Sequence, residues 1–356
     1  MTTTRNTESQ PRSTPSAAAD FPCPPTLDRI GLGLERAILH RPLLWLAIAM
    51  SVLGVGAIIG LIVDPQETLG APLWAKPLKF ALSIALYSLT LSWLIGMLTR
   101  HARLAWWLGT VSAVFLAVEM VIITGAAALG TTSHFNVATP ATTTLWSVMA
   151  ISIVIVWSAA MVVAGLVWRY RIPDPGRALA IKSGLIVGVI GMGLAFLMTS
   201  PTAQQLSNFQ GIAGAHTVGM PDGGEGLPLL GWSTVAGDLR IPHFVGMHAL
   251  QLLPLAALTL ELCARWVRPL RLPPVRRRVV AVLVSLYIAI TALLTVQALL
   301  GQSIVKPDVP IAVTAGGLFL AATAAIAVIL NRRPRSLTPS SEVQAEMPAD
   351  ETAPTH

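Results

Sequence analysis

The stretch Gly237-Asp-Leu-Arg-Ile-Pro-His-Phe-Val-Gly-Met-His-Ala-Leu-Gln251 lies where a polar, glycine-rich segment runs into a long apolar one. The polar segment upstream holds His216, Asp222 and Glu225. The apolar run that follows, residues 242–263, is long enough for a helix to cross a hydrocarbon layer of roughly 30 Å. The stretch therefore predicts a transmembrane helix that begins beside a group of polar side chains.

The composition of the whole chain agrees with a membrane location. Of the 356 residues, 54% are hydrophobic and only 12% are charged, and the mean hydropathy is +0.68. These values exclude an ordinary soluble domain.

Apolar runs of helical length recur along the chain and predict an all-α, polytopic transmembrane helix bundle of about eight spans. The predicted spans are residues 42–63, 77–98, 104–128, 143–167, 178–198, 242–263, 279–300 and 311–330. Together they form one membrane domain, residues 41–331. The segments 1–40 and 332–356 are rich in Pro, Ser and Thr, and we expect them to be disordered tails because they lack the apolar residues that form a core.

The basic residues are distributed unevenly between the connections. Most arginines lie in residues 29–41, 100–103, 169–177, 265–278 and 332–335. Because basic loops stay in the cytoplasm, this alternation predicts that both termini are cytoplasmic. The long connection, residues 199–241, then forms an extracytoplasmic cap. The net charge of +7 is explained by these topology signals, so the expected partner is the lipid bilayer and not a nucleic acid.

Pairs of glycines four residues apart predict close helix packing at two places. Gly56 and Gly60 lie in the first span, and Gly184 and Gly188 lie in the fifth. Such pairs let helix backbones approach each other, either within one bundle or between two copies of the chain.

Several sequence blocks carry a resemblance to a known family. They are Trp74-Ala-Lys-Pro-Leu-Lys-Phe80, Ser133-His-Phe-Asn136, Ala215-His-Thr-Val-Gly219 with Pro221-Asp-Gly-Gly224, and Gly237-Asp-Leu-Arg240 with His243-Phe-Val-Gly-Met-His-Ala-Leu-Gln251. These blocks resemble those of a family of uncharacterised bacterial multi-pass membrane proteins. The resemblance covers most of the membrane portion and neither tail. It implies the multi-pass architecture and a place in the bacterial cytoplasmic membrane, and it implies no chemistry.

Glu119 is the most informative single residue in the predicted spans. It lies inside the third span, roughly two and a half turns from the predicted outer end. A carboxylate at that depth costs several kcal/mol unless it is protonated, paired or solvated. We therefore interpret Glu119 as a candidate catalytic or titrating residue, together with Asp238. The alternative is a protonated carboxyl that is hydrogen-bonded to a neighbouring helix.

Four histidines fall on the predicted outer side and are candidate metal ligands: His134, His216, His243 and His248. Neutral imidazole is a common ligand of metals and of haem iron. His243 and His248 are five residues apart, and a regular helix turns through about 500° over that distance, so they cannot bind one ion together. A metal site would therefore need ligands from separate segments.

Other polar residues on the same side are candidates for binding a cofactor or ligand: Lys76, Lys79, Arg240 and Gln251. The two lysines can hold an anionic substrate or pair with Glu119, and they can also reach lipid headgroups. Arg240 can pair with Asp238. Gln251 shares a helix face with His248.

Three functions remain open from the sequence. The favoured hypothesis is an outward-facing histidine and carboxylate site that binds a metal ion or haem for redox or hydrolytic chemistry. The second is a proton-coupled transporter that uses Glu119, although no internal repeat is evident in the sequence. The third is a non-catalytic receptor or assembly protein that binds a small molecule on its outer face. The sequence identifies neither a metal nor an oligomeric state.

Overall fold

The computed structural model describes residues 39–332 except Leu69. The predicted tails lie almost entirely outside the described residues. The helices are α1 (Arg41–Val63), α2 (Ala75–Met97), α3 (Ala102–Ala128), α4 (Pro140–Arg169), α5 (Pro175–Leu194), α6 (Ala203–Ser207), α7 (Arg240–Cys263), α8 (Pro273–Leu299) and α9 (Val309–Asn331). Two short 3-10 helices follow α5 and α7, at Ala195–Met198 and Arg268–Arg271.

Among the described residues, eight helices are long and apolar enough to cross a membrane: α1 to α5 and α7 to α9. The prediction of a helical, multi-pass membrane protein is therefore confirmed. Several helices begin earlier than the apolar runs do. Thr139 caps α4 by accepting the backbone N–H of Thr142, and Pro140 follows at the first helical position, so this helix starts at residue 140 and not at 143.

The spanning helices pack in two groups that have the same neighbour pattern. In the first group α1 contacts α2, α2 contacts α3, α3 contacts α4, and α1 also contacts α3. In the second group α5 contacts α7, α7 contacts α8, α8 contacts α9, and α5 also contacts α8. Each group holds four spanning helices, so the first helix of each group starts at the same end of the bundle.

The two groups share one buried apolar core, which holds Leu91 of α2, Leu185 of α5 and Leu250 of α7. Helices α4 and α5 are in contact, and Trp157 of α4 donates a hydrogen bond of 2.9 Å to the carbonyl oxygen of Val189 in α5. Gln251 of α7 donates a hydrogen bond of 3.3 Å to the hydroxyl of Thr90 in α2. The sequence showed no repeat because this pattern is a property of helix contacts.

Glycines explain the close contact of α5 with α7. A Cβ atom on Gly191 would overlap the backbone of Gly246, and one on Gly184 would lie 2.7 Å from the carbonyl oxygen of Ala249. The predicted packing role of Gly184 and Gly188 within the bundle is thus confirmed. Gly56 is different, since nothing lies within 4 Å of a Cβ built there.

The long connection between α5 and α7 packs on the other connections at the same end of the bundle. Its strand β3 (Thr217–Val218) pairs in antiparallel fashion with β4 (Gly237–Asp238), while β1 (Glu67–Thr68) and β2 (Ala71–Pro72) form a separate hairpin before α2. Backbone hydrogen bonds join the connection to the α3–α4 loop, from Val137 to Gly211 and from Ala213 to Phe135. We call this end of the bundle the connection end, and the opposite, arginine-rich end the basic end.

Candidate functional site

Charged and imidazole side chains gather at the connection end and form what we call the polar cluster. It consists of Lys76 and Lys79 from α2, Glu119 from α3, His134 from the α3–α4 loop, His216 and Asp222 from the long connection, Asp238 from β4, and Arg240 from α7. The cluster thus joins both helix groups to the connection that covers them.

Glu119 is the innermost member of the polar cluster. The residue is 2% exposed, and its Oε1 lies 3.9 Å from Nε2 of His134. Its Oε2 is buried and has no hydrogen-bond partner among the described residues. Lys76 lies close enough to interact electrostatically with Glu119, but no nitrogen–oxygen contact within 4.0 Å joins the two side chains. The predicted importance of Glu119 therefore has a structural basis in an incompletely satisfied buried carboxyl group.

His134 lies between Glu119 and an aromatic wall. Its ring packs against Phe80, Phe135 and Trp146, with ring centroids 5.4, 6.0 and 5.6 Å away. The hydroxyl of Ser133 lies 3.0 Å from Nδ1. Burial lowers the pKa of His134 well below its ordinary value, and the neighbouring Lys76 and His216 lower it further. The imidazole is therefore neutral at pH 7.

His216 and Asp222 form a hydrogen-bonded pair on the outer side of Phe135. Nδ1 of His216 lies 2.6 Å from Oδ2 of Asp222, and the Phe135 ring is 5.0 Å from the imidazole. Burial alone would raise the pKa of Asp222, but hydrogen bonds from His216 and Thr217 hold it well below its ordinary value. Burial, helped by the nearby charges of Arg240 and Lys76, lowers the pKa of His216 even though the Asp222 carboxylate raises it. The pair is a neutral imidazole beside a carboxylate.

Asp238 and Arg240 form a closed ion pair. Asp238 is 1% exposed and accepts hydrogen bonds from the backbone N–H of Ser233 and from Nε and Nη2 of Arg240. Arg240 also donates to the carbonyl oxygen of Gly231. Because both side chains are already satisfied, their geometry favours a structural connection between β4 and α7 over the catalytic and ligand-binding roles predicted for them.

His243, His248 and Gln251 lie further along α7. Nδ1 of His243 lies 2.8 Å from the carbonyl oxygen of Gly191, and Nδ1 of His248 lies 3.3 Å from Oε1 of Gln251. His248 also stacks on Phe244, with ring centroids 6.3 Å apart. These side chains serve the contacts of α7 with α5 and α2.

The four histidines predicted as candidate metal ligands lie in two places. His134 and His216 belong to the polar cluster, whereas His243 and His248 make the α7 contacts just described. Within residues 39–68 and 70–332, no group of three or more His, Cys, Asp or Glu side chains is placed to hold a metal ion. His243 lies against the carbonyl oxygen of Gly191, and His248 lies beside Gln251, so neither imidazole joins His134 and His216 in the polar cluster.

The aromatic part of the site has no signal in the sequence. Phe80, Phe135 and Trp146 come from three separate elements, and no spacing in the sequence links them. The His216–Asp222 pair had a local signal, because the two residues flank a turn whose Gly219 has φ +88°. A turn that tight brings residues six apart into contact.

Comparison with known protein families, with curated proteins and with solved structures gives no match for this chain. The fold and the site themselves define its class, which is a multi-pass helical membrane protein with a buried carboxyl group in a polar cluster at one end of the bundle.

Proposed function

We propose that this chain is a proton-coupled transport protein in which Glu119 carries the proton. The observation that supports this most strongly is the Glu119 carboxyl group, which is buried in a spanning helix, has one oxygen without a hydrogen bond and lies 3.9 Å from a neutral imidazole. Ionisable residues inside a membrane domain are costly and are typical of proton relays and substrate pathways.

The three titratable side chains from Glu119 outward form a gradient of exposure. The exposed fraction of the side chain is 3% for Glu119, 15% for His134 and 23% for His216. Both imidazoles are neutral, so each can accept a proton on one ring nitrogen and release one from the other. The series supports proton exchange between Glu119 and the connection end.

The route from Glu119 to the basic end is closed by apolar packing. Leu91 and Leu94 of α2 pack in one buried core with Ile181 and Leu185 of α5, on the basic side of the polar cluster. A site that is accessible from one end and closed at the other corresponds to one state of an alternating-access cycle.

The two helix groups supply the parts that such a cycle needs. Many transporters place their site between two repeated units and expose it by rocking one unit against the other. Here the polar cluster receives side chains from both groups, and polar contacts between the groups include the hydrogen bonds of Trp157 to Val189 and of Gln251 to Thr90.

Orientation is part of the same proposal. The arginine distribution supports cytoplasmic termini in a bacterial cytoplasmic membrane, with the long connection outside. Single cysteines in place of Glu225 and Arg171, introduced after Cys23 and Cys263 are replaced by serine, test it in intact cells. A membrane-impermeant maleimide should label the Glu225→Cys protein and not the Arg171→Cys protein. The reverse pattern would invert the proposed topology.

The role of Glu119 is tested without knowing the substrate. Wild-type protein in liposomes on a solid-supported membrane should give a transient charge displacement after a pH jump, because a proton moves into the membrane domain. Glu119→Gln, which has nearly the same shape, should abolish the signal. Glu225→Gln removes an exposed carboxylate of the long connection and should leave the signal unchanged. A full signal in Glu119→Gln would overturn the proposal.

A further inference from the structure

Lys76 is the cation of the polar cluster that has no bound partner. Arg240 is held by Asp238, and Nζ of Lys79 donates a hydrogen bond of 2.9 Å to the carbonyl oxygen of Leu230. Lys76 makes no hydrogen bond and no ion pair with any residue of the described chain. It interacts electrostatically with Glu119, whose Oε2 is also unpartnered. A buried acceptor without a partner and a cation without a partner thus lie within electrostatic range of each other.

When Lys76 and Lys79 both carry a proton, the charges of the polar cluster balance only if Glu119 is ionised. The cations are Lys76, Lys79 and Arg240, and the carboxylates are Glu119, Asp222 and Asp238. The two histidines are neutral. Protonation of Glu119 therefore leaves one uncompensated positive charge in surroundings of low dielectric constant, where such a charge is costly.

The other helices that pack on α3 do not alter this balance. The charged residue of α1 is Arg41 and that of α4 is Arg169, and both lie at the basic end, far from Glu119. Helix α2 contributes the two lysines already counted.

The imidazole next to Glu119 has aromatic surroundings. Phe80, Phe135 and Trp146 pack around His134, which is the neighbour of Glu119. A ligand that meets this wall needs an apolar body, because these ring faces offer no hydrogen bonds in return for desolvation.

We propose that the polar cluster binds a monovalent organic carboxylate against Lys76 together with a proton on Glu119. One proton and one monocarboxylate restore the balance of charge, so the pair moves without net charge transfer. A dianion would leave an excess negative charge, and an uncharged solute would leave the positive charge of the protonated site uncompensated. This inference rests on the proposed role of Glu119 in proton coupling.

Calorimetric titration of the purified protein with acetate, butyrate and benzoate tests the inference. The enthalpy, measured in buffers of different ionisation enthalpy, reports how many protons are taken up with each anion. We expect at least one of the three anions to bind to the wild-type protein with uptake of about one proton at neutral pH. Glu119→Gln imitates the protonated carboxyl and should bind the same anion without proton uptake.

Variants of Lys76 identify the anion site. Lys76→Gln should weaken binding of the same anion by about 10-fold or more, because a charged hydrogen bond is lost, and Lys76→Arg should restore most of it. Lys306→Gln removes an exposed lysine of the α8–α9 connection and should have no effect. The dianion phthalate should bind more weakly than benzoate.

The outcomes separate the two proposals. If none of the three monocarboxylates binds, or if binding takes up no proton or is unchanged in Lys76→Gln, the substrate class is wrong. The pH-jump signal of Glu119 needs no anion, so it still stands or falls by itself. Stronger binding of phenylalanine, which carries an ammonium group as well, would replace the monocarboxylate with a zwitterion.

Discussion

At the level of single residues, the buried histidines determine how the protein responds to acid. The pKa values of His40, His134 and His216 are all lowered, in each case chiefly by burial. Below a pH of about 6.5 the unfolded chain binds protons at these positions while the folded chain does not. The free energy of unfolding therefore falls as the pH drops, by up to about 1.4 kcal/mol per pH unit for each histidine.

Replacement of one buried histidine should weaken the dependence of the free energy of unfolding on pH. We expect His134→Gln to reduce the loss of thermal stability between about pH 6.5 and pH 5, since glutamine does not titrate. The check is the unfolding midpoint of the detergent-solubilised protein across this range. His101→Asn is the matched control, because His101 is exposed and asparagine tolerates its φ of 60°. An equal slope in wild type and His134→Gln would contradict the assignment of His134 as a buried neutral group.

Asp222 also makes the free energy of unfolding fall as the pH drops, but it does so in a lower pH range than the histidines. Its pKa is held below the ordinary value, so its stabilising contribution is complete above a pH of about 3.9 and is lost as the pH falls further. Asp222→Asn should therefore lower stability at neutral pH and bring less additional loss near pH 3. The measurement is the same unfolding midpoint, compared with wild type at both pH values.

The burial of Glu119 in a spanning helix could be predicted from the sequence, but its surroundings could not. An acidic residue within an apolar run can be recognised from the sequence alone. Its partner His134 comes from the following loop, Lys76 comes from the preceding helix, and the aromatic wall comes from three elements. These contacts depend on how helices pack, and no local pattern specifies that packing.

At the level of elements, the contact of α5 with α7 depends on missing side chains. Gly191→Ala places a methyl group on the backbone of Gly246, so we expect a loss of about 1–3 kcal/mol of stability. Gly56→Ala on α1 meets open space, and alanine is the better helix former by about 1 kcal/mol, so it should be neutral or stabilising. Unfolding midpoints of the two variants should move in opposite directions. Equal shifts would indicate that helix propensity alone decides both.

The sequence predicted where the spanning helices lie better than it predicted which helices contact each other. Apolar runs of about 20 residues locate spans well because the bilayer imposes that length. The contribution of Gly184 and Gly188 was also visible, since small residues at this spacing allow close approach. The same pattern in the first span was only half informative, because a Cβ on Gly60 would overlap the ring of Trp74 whereas one on Gly56 would meet open space.

At the level of the whole molecule, the arrangement of two helix groups makes movement between them testable. If the groups rock against each other, a link between α2 and α7 should stop transport, while a link inside one group should not. The side chains of Thr90 and Gln251 are in contact across the groups, and within the second group the Tyr287 hydroxyl donates a hydrogen bond to the backbone carbonyl oxygen of Val245. Cysteines at each pair can be joined by a short bifunctional thiol reagent, after Cys23 and Cys263 are replaced by serine.

The linked Thr90→Cys, Gln251→Cys protein should keep the pH-jump charge displacement, because Glu119 still exchanges its proton with the connection end. It should lose proton-driven uptake of the monocarboxylate that binds in the calorimetric titration, because the second half of the cycle needs the groups to move. The linked Val245→Cys, Tyr287→Cys protein should retain both activities. Undiminished uptake in the first protein, with cross-linking complete, would mean that the site reaches the basic end without relative movement of the two groups.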